Sequence, residues 1–204
     1  MADCSGLERM LAEARRRGFL GPGPIRDHLE HARTYADVAA VSRSSLAIDL
    51  GSGGGVPGLV LACELPETRW VLLDAHHGRT SFLADAVASL GLTTRVTVVT
   101  ARAEVAGRDE SHRGCYEAVV SRGFGRPAVV AECGAPLLRV SGHLVVSEPP
   151  ETTERWPATG LASVGLRFEA LHPGPPRLAS MVQERVCPDR FPRRVGVPAK
   201  RPLW

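Results

Sequence analysis

The stretch Leu46-Ala-Ile-Asp-Leu-Gly-Ser-Gly-Gly-Gly-Val-Pro-Gly58 constrains this chain more than any other. A short apolar run ends in an acid, breaks into glycines, and resumes as the apolar segment from Leu59 to Leu65. That order predicts a buried strand, a tight turn and the start of a helix. Glycine admits backbone angles closed to other residues and leaves no side chain where a ligand lies against the main chain. Pro57 fits the first helical turn, where its missing N–H costs nothing. The turn therefore reads as a ligand cradle.

Gly53, Gly55 and Gly58 satisfy G-x-G-x-x-G, so a dinucleotide is the first competitor as ligand. Asp49 argues otherwise, because an acid just before the first glycine would repel a pyrophosphate. It suits a cationic ligand, either directly or by positioning water and loop amides. The pattern D-x-G-x-G-x-G, here Asp49, Gly51, Gly53 and Gly55, is the one used for S-adenosyl-L-methionine, which carries an ammonium and a sulfonium. An ordinary strand–helix turn is the plain alternative.

The rest of the chain supplies the elements such a turn needs. Arg69 to Asp74 predicts a second strand ending in an acid, and Thr80 to Leu90 a helix closed by Gly91. Asp74 follows Gly55 at the spacing where an acid meets a ribose hydroxyl pair, or else caps the next helix. Arg95 to Thr100 predicts a third strand. After it, Ala103 and Glu104 stand where an adenine would be held, unless Glu104 is only the N-terminal charge of a short helix. Gly107 to Gly114 reads as a polar surface loop. Tyr116 to Arg122 is a fourth strand whose end, Arg122, faces the crevice and could anchor a carboxylate or a phosphate; Phe124 beyond it either stacks on a base or packs. Pro127 to Leu138 is a helix and Gly142 to Val146 a fifth strand; Leu166 to Leu171 and Arg177 to Val186 form an antiparallel pair. Strand and helix alternate as in a doubly wound, Rossmann-like α/β sheet.

Before this sheet lie two amphipathic stretches, Leu7 to Arg17 and Ile25 to Val41, separated by the break Gly18 to Pro24. His28 and His31 on the second either face a substrate or coat the helix. Neither they nor the adjacent His76 and His77 have metal-ligand company, so no metal is expected. The domains are thus a helical extension over 1–44, a donor-binding domain over 45–188, and a basic, proline-punctuated tail over 189–204. That tail is either disordered or an arm lying on a nucleic-acid backbone.

Composition narrows the class little. Of 204 residues, 44% are hydrophobic and 23% charged, an ordinary globular balance, and the net charge of +3 does not demand a nucleic-acid partner. Five scattered cysteines without a C-x-x-C pair suggest free thiols. With no signal peptide and no membrane-length apolar run, a cytoplasmic protein without a membrane partner is expected. The oligomeric state stays open.

At this point the chain resembles a family, the 16S ribosomal RNA guanine-N7 methyltransferases RsmG, also called glucose-inhibited division protein B. The resemblance rests on Asp49 to Gly58, Leu72-Leu-Asp74, Arg102-Ala-Glu104, Ser121-Arg-Gly-Phe124 and Phe191-Pro-Arg-Arg-Val-Gly-Val-Pro-Ala-Lys200. It implies a class I methyltransferase fold with a short helical N-terminal piece. It also implies a donor site built from the glycine turn, Val56, Ala103, Glu104 and Arg122, with ribosomal RNA or the small subunit as partner. Three features depart from the family pattern: its W-N-x-x-x-N-L-T segment is absent, the basic stretch after it is reduced to Ile25 to Ala32, and Ser147-Glu148 replaces a lysine–glycine pair after the fifth strand. The expected activity is methylation of guanine N7, with Arg122, His28 and the C-terminal cations handling the nucleic acid. A small-molecule or protein methyltransferase, or a donor- or RNA-binding module without catalysis, are the alternatives.

Overall fold

A computed structural model describes residues 4–149 and 155–204. Three helices, α1 (Leu7–Arg16), α2 (Ile25–Ala36) and α3 (Ala39–Ser42), precede the first strand, β1 (Leu46–Leu50). The chain continues as α4 (Gly58–Glu64), β2 (Arg69–Asp74), α5 (His77–Ser89), β3 (Val96–Thr100), α6 (Ala103–Ala106) and β4 (Tyr116–Ser121). There follow α7 (Pro127–Gly134), β5 (Leu138–Glu148), α8 (Ala158–Ser163), β6 (Leu166–His172), β7 (Arg177–Gln183) and α9 (Val197–Lys200).

The seven strands form one sheet in the order β3-β2-β1-β4-β5-β7-β6. β1 to β5 run parallel, and β7 is antiparallel to both β5 and β6. The chain winds outward from β1 to β3, then restarts on the other side at β4. Between β1 and β4 the two halves diverge, and a crevice opens at their carboxyl ends, where such sheets bind ligands.

Alternation along the strands divides the core. Ala47, Trp70 and Leu72 face the layer built by α1, α2, α4 and α5, whereas Ile48, Leu50, Val71 and Leu73 face α6, α7, α8 and the C-terminal segment. Strands covered on both faces read as continuous apolar runs, which is why β1 and β2 were legible. The first layer includes the N-terminal helices. Leu7, Leu11 and Ala14 of α1, and Leu29, Ala32 and Tyr35 of α2, recur at helical spacing and are buried. Leu83 of α5 is fully buried in the same layer, so Leu83→Ala would cost about 2–5 kcal/mol.

Several boundaries differ from expectation. The helix expected over 25–41 breaks at Asp37 and Val38, and Val38 in extended conformation starts the separate α3. Helix α4 begins at Gly58, so Pro57 sits at its N-cap. The helix expected to reach Leu138 ends at Gly134, where Pro136, without an N–H, forces a 3-10 turn instead. Strand β5 is longer than expected, with an irregularity opposite Tyr116 and Ala118. The thiol expectation also fails at one position: Cys63 is disulfide-bonded, whereas Cys115, Cys133 and Cys187 are free. Among the described residues no helix is long and apolar enough to cross a membrane.

Candidate active site

The glycine turn leaves β1 and is tied at once to β2: Gly51 and Ser52 both donate backbone N–H bonds to the Leu73 carbonyl at 2.9 Å. Gly51 has φ +79°, and a Cβ there would fall 2.6 Å from the Phe124 ring. No other residue satisfies both the backbone angle and the space. The turn separates two cavities that share Gly51, Arg79 and Gly123. One, of about 290 Å³, is lined by Asp74, Ala103, Glu104, Phe124 and Ala199 among others. The other, of about 340 Å³, is lined by Phe19, Gly53, Val56 and Arg122.

The structure thus brings Gly51, Gly53, Val56, Asp74, Ala103, Glu104 and Arg122 to one crevice. Three residues singled out from the sequence stand behind it. Gly55 packs the turn onto α4, because a Cβ there would press on Leu59. Asp49 is fully buried and lines neither cavity; its Oδ2 accepts the Gly58 N–H at 2.9 Å. Burial pushes its carboxyl up to about 7 against the opposing Gly58 and Ser52 hydrogen bonds, and its Oδ1 has no partner. Asp49 therefore holds the start of α4 and the loop amides in place. His28, also buried, touches Arg122 instead of the cavity.

Asp74 does two things. Its Oδ2 accepts the Gly53 N–H at 3.0 Å, its Oδ1 accepts the His76 N–H at 2.8 Å ahead of α5, and Arg79 lies 3.6 Å away. It braces the glycine turn while lining the first cavity. Arg122 at the end of β4 donates through Nη2 to His28 Nδ1, and His28 Nε2 in turn donates to the Gly21 carbonyl at 3.1 Å. Those roles require a neutral imidazole, in keeping with a His28 pKa lowered by burial and then by the Arg122 charge. The second Arg122 nitrogen, Nη1, is buried without a partner. A cation held this way on the cavity wall fits a carboxylate.

Some of the site was invisible in the sequence. Residues 18–24, read only as a break between helices, place the Phe19 carbonyl against Gly54 and the ring beside His76 and Phe82. Tyr35 of α2 is fully buried and donates to the Ser121 carbonyl at 2.7 Å, fixing the strand end that carries Arg122. The C-terminal segment is ordered against the domain. Gly196 N–H donates to Glu104 Oε1 at 2.8 Å, and Ala199 completes the first cavity. Arg193 grips the fully buried Glu132 of α7 through its backbone N–H, Nε and Nη2. Arg113, in the loop expected to be mere surface, donates to the Phe191 and Cys187 carbonyls.

The chain as a whole matches a known family. The family model for rRNA small subunit methyltransferase G matches residues 25–154. The chain belongs to that family. A protein named ribosomal RNA small subunit methyltransferase G from Rubrobacter xylanophilus is 40% identical over 167 residues, covering 76% of this chain and 64% of its own length. The protein of the same name from Roseiflexus castenholzii is 36% identical over 185 residues, covering 87% and 76%. The chain thus spans about two thirds of the length of the curated relatives it matches. In fold it is similar to the crystal structure of a methyltransferase from Geobacter sulfurreducens, with a TM-score of 0.63 at 14% identity over 88% of each chain. The architecture is that of a class I methyltransferase. Among the described residues no group of three or more His, Cys, Asp or Glu is arranged to hold a metal.

Proposed function

We propose that this family member binds S-adenosyl-L-methionine in the crevice between β1 and β4 and methylates guanine N7 in small-subunit ribosomal RNA. The observation that carries the donor reading is the joint placement of Gly51, Asp74 and Arg122 around one crevice. Arg122 Nη1, buried and unpaired, supplies a partner for the donor's carboxylate. Asp74 offers a carboxylate for ribose hydroxyls, and Ala103 and Glu104 wall the far end of the same cavity. The bound donor would supply a methyl group on a sulfonium.

The chain's task is then chiefly geometric. Guanine N7 has a free lone pair and loses no proton on methylation, so no side chain need act as general base. Rate comes from holding the nucleophile in line with the methyl and from excluding water. Phe124, over Gly51, and Phe19, over the glycine turn, provide apolar cover for that purpose. His28 acts through Arg122 as a positioning residue.

The test is transfer of labelled methyl from S-adenosyl-L-methionine to small ribosomal subunits lacking N7 methylation. Incorporation at a guanine, lost in Arg122→Ala, is expected. Absence of transfer to any RNA or subunit would overturn the acceptor assignment. A small-molecule acceptor is the second reading, motivated by Ser147-Glu148 in place of the family's lysine–glycine pair, with Glu148 buried. Transfer insensitive to salt would favour it, because phosphate contacts make RNA binding fall steeply with ionic strength.

A further inference from the structure

A third cavity, of about 210 Å³, adjoins the donor crevice and shares Gly123 and Phe124 with it. Arg155 and Trp156 line it too, as do Pro127 and Ser147. The first two are held by one buried carboxylate. Glu148 Oε2 accepts from Arg155 Nη1 at 2.9 Å, and Oε1 accepts from Trp156 Nε1 at 3.0 Å. Glu148 is 6% exposed, so neither oxygen is dissipated into solvent. The backbone is braced as well, since Trp204 Nε1 donates to the Arg155 carbonyl at 3.1 Å.

We infer that this cavity is the acceptor-base subsite, and that the Glu148–Arg155–Trp156 cluster selects guanine; the inference rests on the methyltransferase reading above. Three features of the cluster decide the chemistry. Two aromatic residues in the lining, Phe124 and Trp156, suit a flat π-face. The Arg155 charge is already neutralised by Glu148, so the guanidinium offers N–H donors without the net charge that would draw a phosphate. An Arg donor suits a ring carbonyl. Guanine presents O6 beside N7, whereas adenine presents an amino group beside N7 and would meet Arg155 donor to donor. The cavity meets the donor crevice at Phe124, so a base seated there lies next to the methyl-bearing region.

Glu148 is then a positioning residue, and the replacement of the family's lysine–glycine pair acquires a purpose. A glycine has no side chain to reach either residue; Glu148 anchors Arg155 and Trp156 together.

The test measures two quantities on each of three proteins, the intact chain, Arg155→Met and Trp156→Phe. The first is the affinity for 5′-GMP and 5′-AMP of protein saturated with S-adenosylhomocysteine. The intact chain is expected to prefer GMP by about tenfold, the size of one good base contact. Arg155→Met is expected to erase the preference, and Trp156→Phe to preserve stacking while weakening it. Donor affinity, read by calorimetry, stays within about twofold in both variants and shows that they are folded. Equal binding of the two nucleotides by the intact chain, no binding of either, or an undiminished preference in Arg155→Met would overturn the subsite. The second quantity is kcat/KM for methyl transfer to small subunits, expected to fall about tenfold in Arg155→Met. If the intact chain prefers GMP yet methylates no RNA, the ribosomal reading fails while the base pocket stands.

Discussion

Arg122 donates through Nη2 to Nδ1 of His28 at 2.9 Å, joining the end of β4 to a helix 94 residues earlier in the chain. The bond holds the guanidinium through one nitrogen and leaves Nη1 without a partner. His28→Leu removes the acceptor and leaves a buried donor unsatisfied, a cost of about 1–3 kcal/mol. We expect a lower melting temperature and roughly tenfold weaker S-adenosyl-L-methionine binding. Unchanged donor affinity in calorimetry would separate His28 from the site.

Acid should loosen the same helix. Burial, then the Arg122 and His28 charges, lowers the His31 pKa to about 4, and burial and Arg122 lower that of His28. Folded values below the ordinary 6.5 mean that the folded state prefers the neutral rings. Their contribution is complete above pH 6.5 and is lost as pH falls toward 4, by at most about 3 kcal/mol for His31. Urea denaturation of wild type and His31→Gln at pH 7 and pH 4.5 checks this. The variant should lose less stability on acidification; equal losses would refute the assignment to His31.

Asp49 titrates with the opposite sign. Its folded pKa, raised by burial to about 7, lies above the ordinary 3.8. The contribution to stability is therefore present below pH 3.8 and lost as pH rises through 7, by at most about 4 kcal/mol. In Asp49→Asn the carboxamide oxygen still accepts the Gly58 N–H, and no charge is buried. Its melting temperature should exceed that of wild type at pH 8 and converge with it at pH 4. Retained donor binding would show that Asp49 positions amides; complete loss would point to direct ligand contact.

At Gly51 both constraints act together. Gly51→Arg meets the Phe124 ring and a φ of +79°, and its side chain fills the crevice. The backbone cost is about 1–2 kcal/mol, so the protein should remain folded by circular dichroism while donor binding disappears. Binding at wild-type strength would move the donor elsewhere.

The C-terminal segment is held mainly through Arg193 and Glu132. Glu132 is fully buried, and Arg193→Met strands its carboxylate, at a cost of about 3–5 kcal/mol. Limited proteolysis should then cut within 189–204. Donor affinity should fall with it, because Glu104 and Ala199 form a wall that the segment supports. A segment still protected from protease would mean that the Arg113 bonds suffice.

Along the chain, the sequence determined the central sheet and the glycine cradle. Buried parallel strands are short apolar runs, and a turn that must both reverse the chain and admit a ligand shows its glycines. Asp74 and Arg122 were legible for a related reason, since each terminates such a strand and the carboxyl ends converge. Tertiary structure alone decided which of these groups face the ligand. Asp49 and Asp74 look alike in sequence, each an acid near the end of an apolar run. Yet Asp49 turns under α4 to hold Gly58, and Asp74 lies in the cavity wall. By alternation both carboxylates lie on the same face of the sheet; Asp49 stands level with Leu72 inside it, whereas Asp74 lies two positions further along, at the carboxyl end where the crevice opens. The partners of Arg122 and Glu132 were equally hidden. A hydrogen bond between residues far apart in sequence leaves no local periodicity; it exists only once the core has brought the two ends together.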